Sequence, residues 1–93
     1  MHVMNNDSTI LALREDINVI DTQLVQLLNQ RAEKALAIGK VKAELGERIY
    51  DPARENDIID KIDALNHGPL SKGAIEEVYR AIITVCRELQ MGS

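Results

Sequence analysis

Between Thr9 and Leu45 the chain has no proline and a single glycine, Gly39. Apolar residues recur there at Ile10, Leu13, Ile17, Ile20, Leu24 and Leu27, at alternating gaps of three and four. That is the period of an amphipathic helix with a coiled-coil-like seam. The pattern predicts a helix over 9–45, stopped at Gly46. Asp7 or Ser8 would cap it by accepting from the free amides of its first turn, and residues 1–8 are expected to fray as a flexible N-terminus. Asp51-Pro52 reads as an N-cap followed by a proline whose missing amide costs nothing at that position. A second helix is expected over 52–65, with Ile58, Ile59, Ile62 and Leu65 on one side, ended by Asn66-His67-Gly68-Pro69. Ser71 can cap a third helix over 72–90, whose apolar face is Ile75, Val78, Tyr79, Ile82, Ile83, Cys86 and Leu89. The fold class is all-α, with three helices and a very long first one.

That first helix is too long for a small domain. About 36 residues at ~1.5 Å each span ~54 Å, whereas a compact monomer of this size has a diameter of roughly 30 Å. Either the helix kinks, with Gly39 the available place, or a second chain covers the excess. The continuing apolar stripe favours the second chain, and two short helices cannot cover one long one.

The 93 residues suit one domain, residues 1–93. Apolar residues make up 45%, but there is no Phe or Trp and only two Tyr, so the core must be aliphatic. Fifteen acidic against eleven basic residues give a net charge of −4, which argues against general nucleic-acid or anionic-membrane binding. One cysteine, Cys86, forms no intrachain disulfide, and a reduced, cytoplasmic setting follows. No signal peptide and no run of membrane-spanning length is visible.

Gly-rich phosphate loops and Cys/His sets with metal spacing are absent. His2 and His67 fall in a tail and a turn, and Cys86 falls on an apolar stripe, where it reads as a small core residue. Neither nucleophilic nor metal catalysis is expected. What remains is cations in unusual places. Arg31 stands where the seam should continue, and Lys42 lies three turns on, ~16 Å away on the same face, with Ala35 and Ile38 between. Two long side chains so placed can clasp one small anion. Arg14 lies ~25 Å before Arg31 and about 100° around the axis, too far to share that ligand from the same straight helix. In an antiparallel pair of long helices, Arg14 of one chain can meet Arg31 of the other. The plain alternative is that all three are solvated or salt-bridged surface cations. Glu55 favours the N-terminal turn of the second helix; Arg54 beside it opposes the helix dipole and needs another reason, an anionic ligand or a surface ion pair. Gln90 offers a neutral donor and acceptor near the end of the third helix.

Taken in order, Leu13-Arg14-Glu15-Asp16-Ile17, Asp21, Leu27-Leu28-Asn29-Gln30-Arg31, Ile38-Gly39-Lys40-Val41-Lys42 and Tyr50-Asp51-Pro52-Ala53-Arg54-Glu55 resemble the all-helical class of chorismate mutases. The likeness runs on through Asn66-His67-Gly68-Pro69-Leu70 and Tyr79-Arg80-Ala81-Ile82-Ile83 to Leu89-Gln90, across about residues 10–90. The later part is similar to the mutase domain that precedes prephenate dehydratase in bifunctional enzymes.

The resemblance implies an intertwined homodimer of three-helix chains whose long helices bridge both active sites. It implies a small dianionic substrate, chorismate, rearranged to prephenate by a pericyclic shift without cofactor. It also assigns roles. Arg14 would reach a substrate carboxylate from the partner chain, and Arg31 would bind carboxylate from within. Lys42 and Gln90 would donate to the ether oxygen, Asp51 and Glu55 would engage the ring hydroxyl, and Arg54 would line the pocket. Cys86 falls where some members have a serine that contacts the ring carboxylate, and a thiol is a poor donor. Two other functions fit parts of the pattern: a lyase on the same scaffold that eliminates pyruvate from isochorismate, and a non-catalytic helical dimerisation module. The module explains the seam but not Arg31 within it.

Overall fold

A computed structural model describes the backbone of residues 2–92 and the side chains of 7–92. It contains three helices, α1 (His2–Leu45), α2 (Pro52–Leu65) and α3 (Lys72–Gly92), and no strand among the described residues. None of these helices is long and apolar enough to cross a membrane. The chain divides into two units, Met1–Gln30 and Arg31–Ser93.

The first unit is the N-terminal part of α1. The expected break before Thr9 is absent: the helix begins at His2 and passes through Asp7 and Ser8, neither of which caps it. No proline or glycine precedes Thr9, so nothing in the backbone stops the helix from extending. Met1 lies outside the described residues. Polar side chains here bond along the helix itself: Thr22 Oγ1 donates to the Asn18 carbonyl at 3.0 Å and Asn29 Nδ2 to the Val25 carbonyl at 2.9 Å. The apolar positions between Ile10 and Leu28 are all exposed.

The second unit holds the end of α1 with α2 and α3. The helix is unbroken at Gly39 and ends at Gly46, whose φ of 70° is reached without the steric penalty a Cβ would bring. There the Glu47 amide donates to the Lys42 carbonyl at 2.8 Å and the Gly46 amide to that of Ala43 at 3.3 Å, the paired closing bonds of a Schellman motif. Asp51 Oδ1 accepts from the Arg54 amide at 3.0 Å, capping α2, with Pro52 at the first helical position. Asn66 closes α2: its amide donates to the Ile62 carbonyl, and its side chain spans the turn to the Gly68 amide and the Leu70 carbonyl. Ser71 Oγ accepts from the Ala74 amide at 3.1 Å, capping α3. The third helix runs to Gly92, two residues past the expected end at Gln90, because Met91 propagates a helix well and the helix-disfavouring glycine comes only after it.

The core of this unit is small and aliphatic, as the absence of large aromatics requires. Ala35 from α1, Ile59 from α2, and Ile83 and Cys86 from α3 are its buried apolar residues. Leu65 and Val78, expected on apolar faces, are exposed.

Candidate active site

The buried face of the second unit opens into a cavity of about 460 Å³, within the range of small-molecule pockets. The last turns of α1 supply one wall. Arg31, Ala35, Ile38 and Lys42, spaced by four, three and four residues, line it together, as one helical face should. Lys34 joins them from the same stretch. The loop and first turn of α2 add Asp51, Arg54 and Glu55, and α3 adds Cys86, Arg87 and Gln90. Five cations and two carboxylates therefore face one space, three positive charges in excess, within a chain of net charge −4.

These cations are not all satisfied by the protein. Arg31 and Lys42 are half-buried, and neither is ion-paired among the described residues; nor is the more exposed Arg54. Lys42 Nζ makes one long bond, 3.5 Å, to the Ile49 carbonyl, leaving other ammonium protons for a ligand. A solvated surface lysine needs no such setting. Grouped cations in a cleft are a ready site for an anion, because the low-dielectric walls strengthen their field.

Gln90 is placed by a close approach of α3 to α1. A Cβ built on Gly39 would lie 3.0 Å from both Cβ and Cγ of Gln90 and 3.2 Å from its Cα. Only glycine lets Gln90 pack at this depth without a shift. Gly39 thus serves as a contact point and not as a kink.

Cys86 is buried and free, consistent with a core thiol, and also lines the cavity. Asp51 has one oxygen committed to the α2 cap. Glu55 is bound by Arg87: Nε donates to Oε2 at 2.9 Å and Nη2 to Oε1 at 3.4 Å. Sequence reasoning passed over Arg87 and Lys34. The signal was present for Arg87, a cation set between Ile83 and Gln90 at helical spacing, but Glu55 is 32 residues away and their pairing is not periodic.

Seven of the eight candidate residues thus meet at one cavity: Arg31, Lys42, Asp51, Arg54, Glu55, Cys86 and Gln90. Arg14 does not line it; it is an exposed residue of the first unit. Among the described residues no cluster of His, Cys, Asp and Glu is arranged to hold a metal ion.

A family model described as chorismate mutase type II matches residues 13–91. The chain belongs to that family. It is 38% identical over 82 residues to the bifunctional chorismate mutase/prephenate dehydratase of Aquifex aeolicus, covering 84% of this chain and 23% of that protein. The Neisseria gonorrhoeae protein of the same description is 34% identical over 80 residues, covering 86% and 22%. The chain therefore spans less than a quarter of the length of these curated relatives. A solved chorismate mutase from Thermus thermophilus matches with a TM-score of 0.87 at 29% identity, covering 88% of this chain and 93% of that one. All eight candidate positions, Arg14 to Gln90, lie inside the segment that the family model matches. The three helices, with no strand among the described residues, share the fold of that solved structure.

Proposed function

We propose that the chain is a chorismate mutase, an isomerase that converts chorismate to prephenate without a cofactor, working as a cytoplasmic homodimer with shared sites. One observation carries the reading: unpaired Arg31 and Lys42 share a helix face inside a net-positive cavity that Gln90 enters from another helix. A dicarboxylate with a reactive ether is the kind of ligand these groups suit.

In the reaction the ether C–O bond breaks as a C–C bond forms, and negative charge builds on the ether oxygen. Lys42 and Gln90 donate there, so their bonds strengthen toward the transition state and lower the barrier. Arg31, with Arg14 from a second chain, holds the two carboxylates so that the enolpyruvyl arm lies over the ring. That removes conformational freedom before bond formation. Asp51 and Glu55 accept from the ring hydroxyl, and Arg54 adds positive potential at the wall. Cys86 replaces a stronger donor, so the arginines carry the carboxylate contacts.

The dimer is supported by the first unit, where ten large apolar side chains from Ile10 to Leu28 are 42–62% exposed. Six of them, Ile10, Leu13, Ile17, Ile20, Leu24 and Leu27, recur at helical spacing, and an exposed apolar stripe of that length suits a protein–protein contact. The unpaired thiol of Cys86 suits a reducing compartment.

The test is a direct assay of the purified chain with chorismate and, in parallel, isochorismate, with its mass in solution measured alongside. Prephenate from chorismate by a dimer is the expected result. Pyruvate released from isochorismate without prephenate formation would assign the cavity to the lyase reaction instead.

A further inference from the structure

Arg87 has no role in the proposed reaction, yet among the described residues it is the one ion-paired cation of the cavity. It follows the buried Cys86 on α3 and is half-buried. Its fork engages both oxygens of Glu55, and its guanidinium carbon lies 4.9 Å from the centre of the Tyr50 ring. Three segments therefore converge on one guanidinium: the loop before α2, the first turn of α2, and α3.

An isolated surface ion pair contributes little, because two flexible chains must be held in one geometry. Here the geometry is already restrained. The fork binds both carboxylate oxygens, and the aromatic face restricts the plane of the guanidinium. Glu55 is thereby aimed. Each of its oxygens keeps a lone-pair site free, enough to accept from a hydroxyl.

The surroundings give this pairing a second consequence. Arg31, Lys42 and Arg54 are cations of the same cavity without an ion pair among the described residues. A loose carboxylate among them would swing to one of them and occupy the donors that an anionic substrate needs. Arg87 holds Glu55 out of that competition.

We propose that Arg87 is a positioning residue that acts through Glu55, braced by Tyr50. It directs the carboxylate to the ring hydroxyl of the substrate and keeps it off the carboxylate-binding cations. The inference rests on the cavity being the mutase site.

A double-mutant cycle tests it. Prephenate formation is measured for Arg87→Ala, Glu55→Ala, the pair together, and Arg87→Lys, with Tm recorded for each. Arg87→Met keeps the apolar stem and stands in if Arg87→Ala does not fold. Glu55→Ala and Arg87→Ala should each lower kcat/KM on the order of tenfold, the coupling typical of side chains in direct contact. The double variant should be no worse than Glu55→Ala, and Arg87→Lys, a single-point donor, should recover part of the loss. Additive losses in the double variant would overturn the inference, since Arg87 would then act on substrate or fold independently of Glu55. An unchanged kcat/KM for Arg87→Ala overturns it too. If Glu55→Ala is fully active in an active mutase, the Arg87 inference falls while the reaction assignment stands. If the unaltered chain forms no prephenate, both fall.

Discussion

Residues Met1–Gln30 and Arg31–Ser93 use their apolar residues in opposite ways. In the second unit, Ala35, Ile59, Ile83 and Cys86 are buried, and Ala35, Ile83 and Cys86 also line a charged cavity. In the first, Ile10, Leu13, Ile17, Ile20, Leu24 and Leu27 keep the regular spacing of a core stripe and are all exposed. The first unit is a single helix with no other element of its own against which to bury that face, and it is such packing that gives helices in proteins most of their stability. The contrast teaches that the same periodicity serves an internal core in one unit and an external surface in the other. The cavity's chemistry is local to the second unit; the role proposed for the first is to supply Arg14 and a dimer interface.

The strongest way to break this comparison is to charge the exposed stripe. Leu24→Asp places an unpaired carboxylate in the proposed interface, a change of about 3–5 kcal/mol when a buried charge lacks a partner. Mass in solution should fall to that of the monomer and activity should vanish. A dimer that persists with full activity would show that the stripe is not the interface.

Next in size is the cavity's own donor. Lys42→Ala should lower kcat by about 10²–10³, by analogy with the loss of one oxyanion donor, while the dimer persists. Near-normal kcat would remove Lys42 from the reaction.

The two units can also be tested against each other. Arg14→Ala and Arg31→Ala chains should each be nearly inactive alone. After subunit exchange, activity should return in part, because one site of each heterodimer regains both arginines. Exchange confirmed by mass without recovery would confine Arg14 to a structural role.

Gly39→Ala gives a smaller effect. The new Cβ would meet Gln90 at 3.0 Å, so Gln90 must move by a few tenths of an ångström. Overpacking typically costs about 1–3 kcal/mol; Tm should drop and kcat fall with the chain still dimeric. Gly73→Ala is the contrast, because nothing lies within 4 Å of a Cβ there. It should retain activity and gain slightly in stability from helix propensity.

The smallest expected effect concerns pH. The Glu76 carboxyl titrates above its ordinary value, chiefly because it hydrogen-bonds with Asp63, aided by desolvation and the Asp63 charge, against the opposing fields of Lys72 and Arg80. Asp63 itself has a buried Oδ1 without a donor. A carboxyl whose folded pKa is raised contributes stability in acid and loses that contribution as pH rises through the folded value. Glu76→Gln supplies a permanent donor, so it should raise Tm slightly at neutral pH. The difference should shrink toward the ordinary carboxylate range. A larger gain in acid than at neutrality would reverse the assignment.

Much of this was legible before any coordinates. Gly46, Asp51-Pro52, Asn66 and Ser71 act through bonds to residues within five positions, so their roles as stops and caps can be read locally. The face shared by Arg31, Ala35, Ile38 and Lys42 follows from helical period alone. The start of α1 is not legible in the same way, because polar residues cap a helix only where something ends it, and nothing before Thr9 does. Arg87 was missed because its partners, Glu55 and Tyr50, are distant in sequence.

Three helices, an aliphatic core and a line of cations on one helical face are written into the chain, since these depend on periodicity and on bonds between near neighbours. Which distant side chains meet is settled in three dimensions: Gln90 against Gly39, and Glu55 held by Arg87, whose guanidinium lies over Tyr50. Such contacts depend on how α2 and α3 pack, and packing is set by the shapes of all the side chains at once.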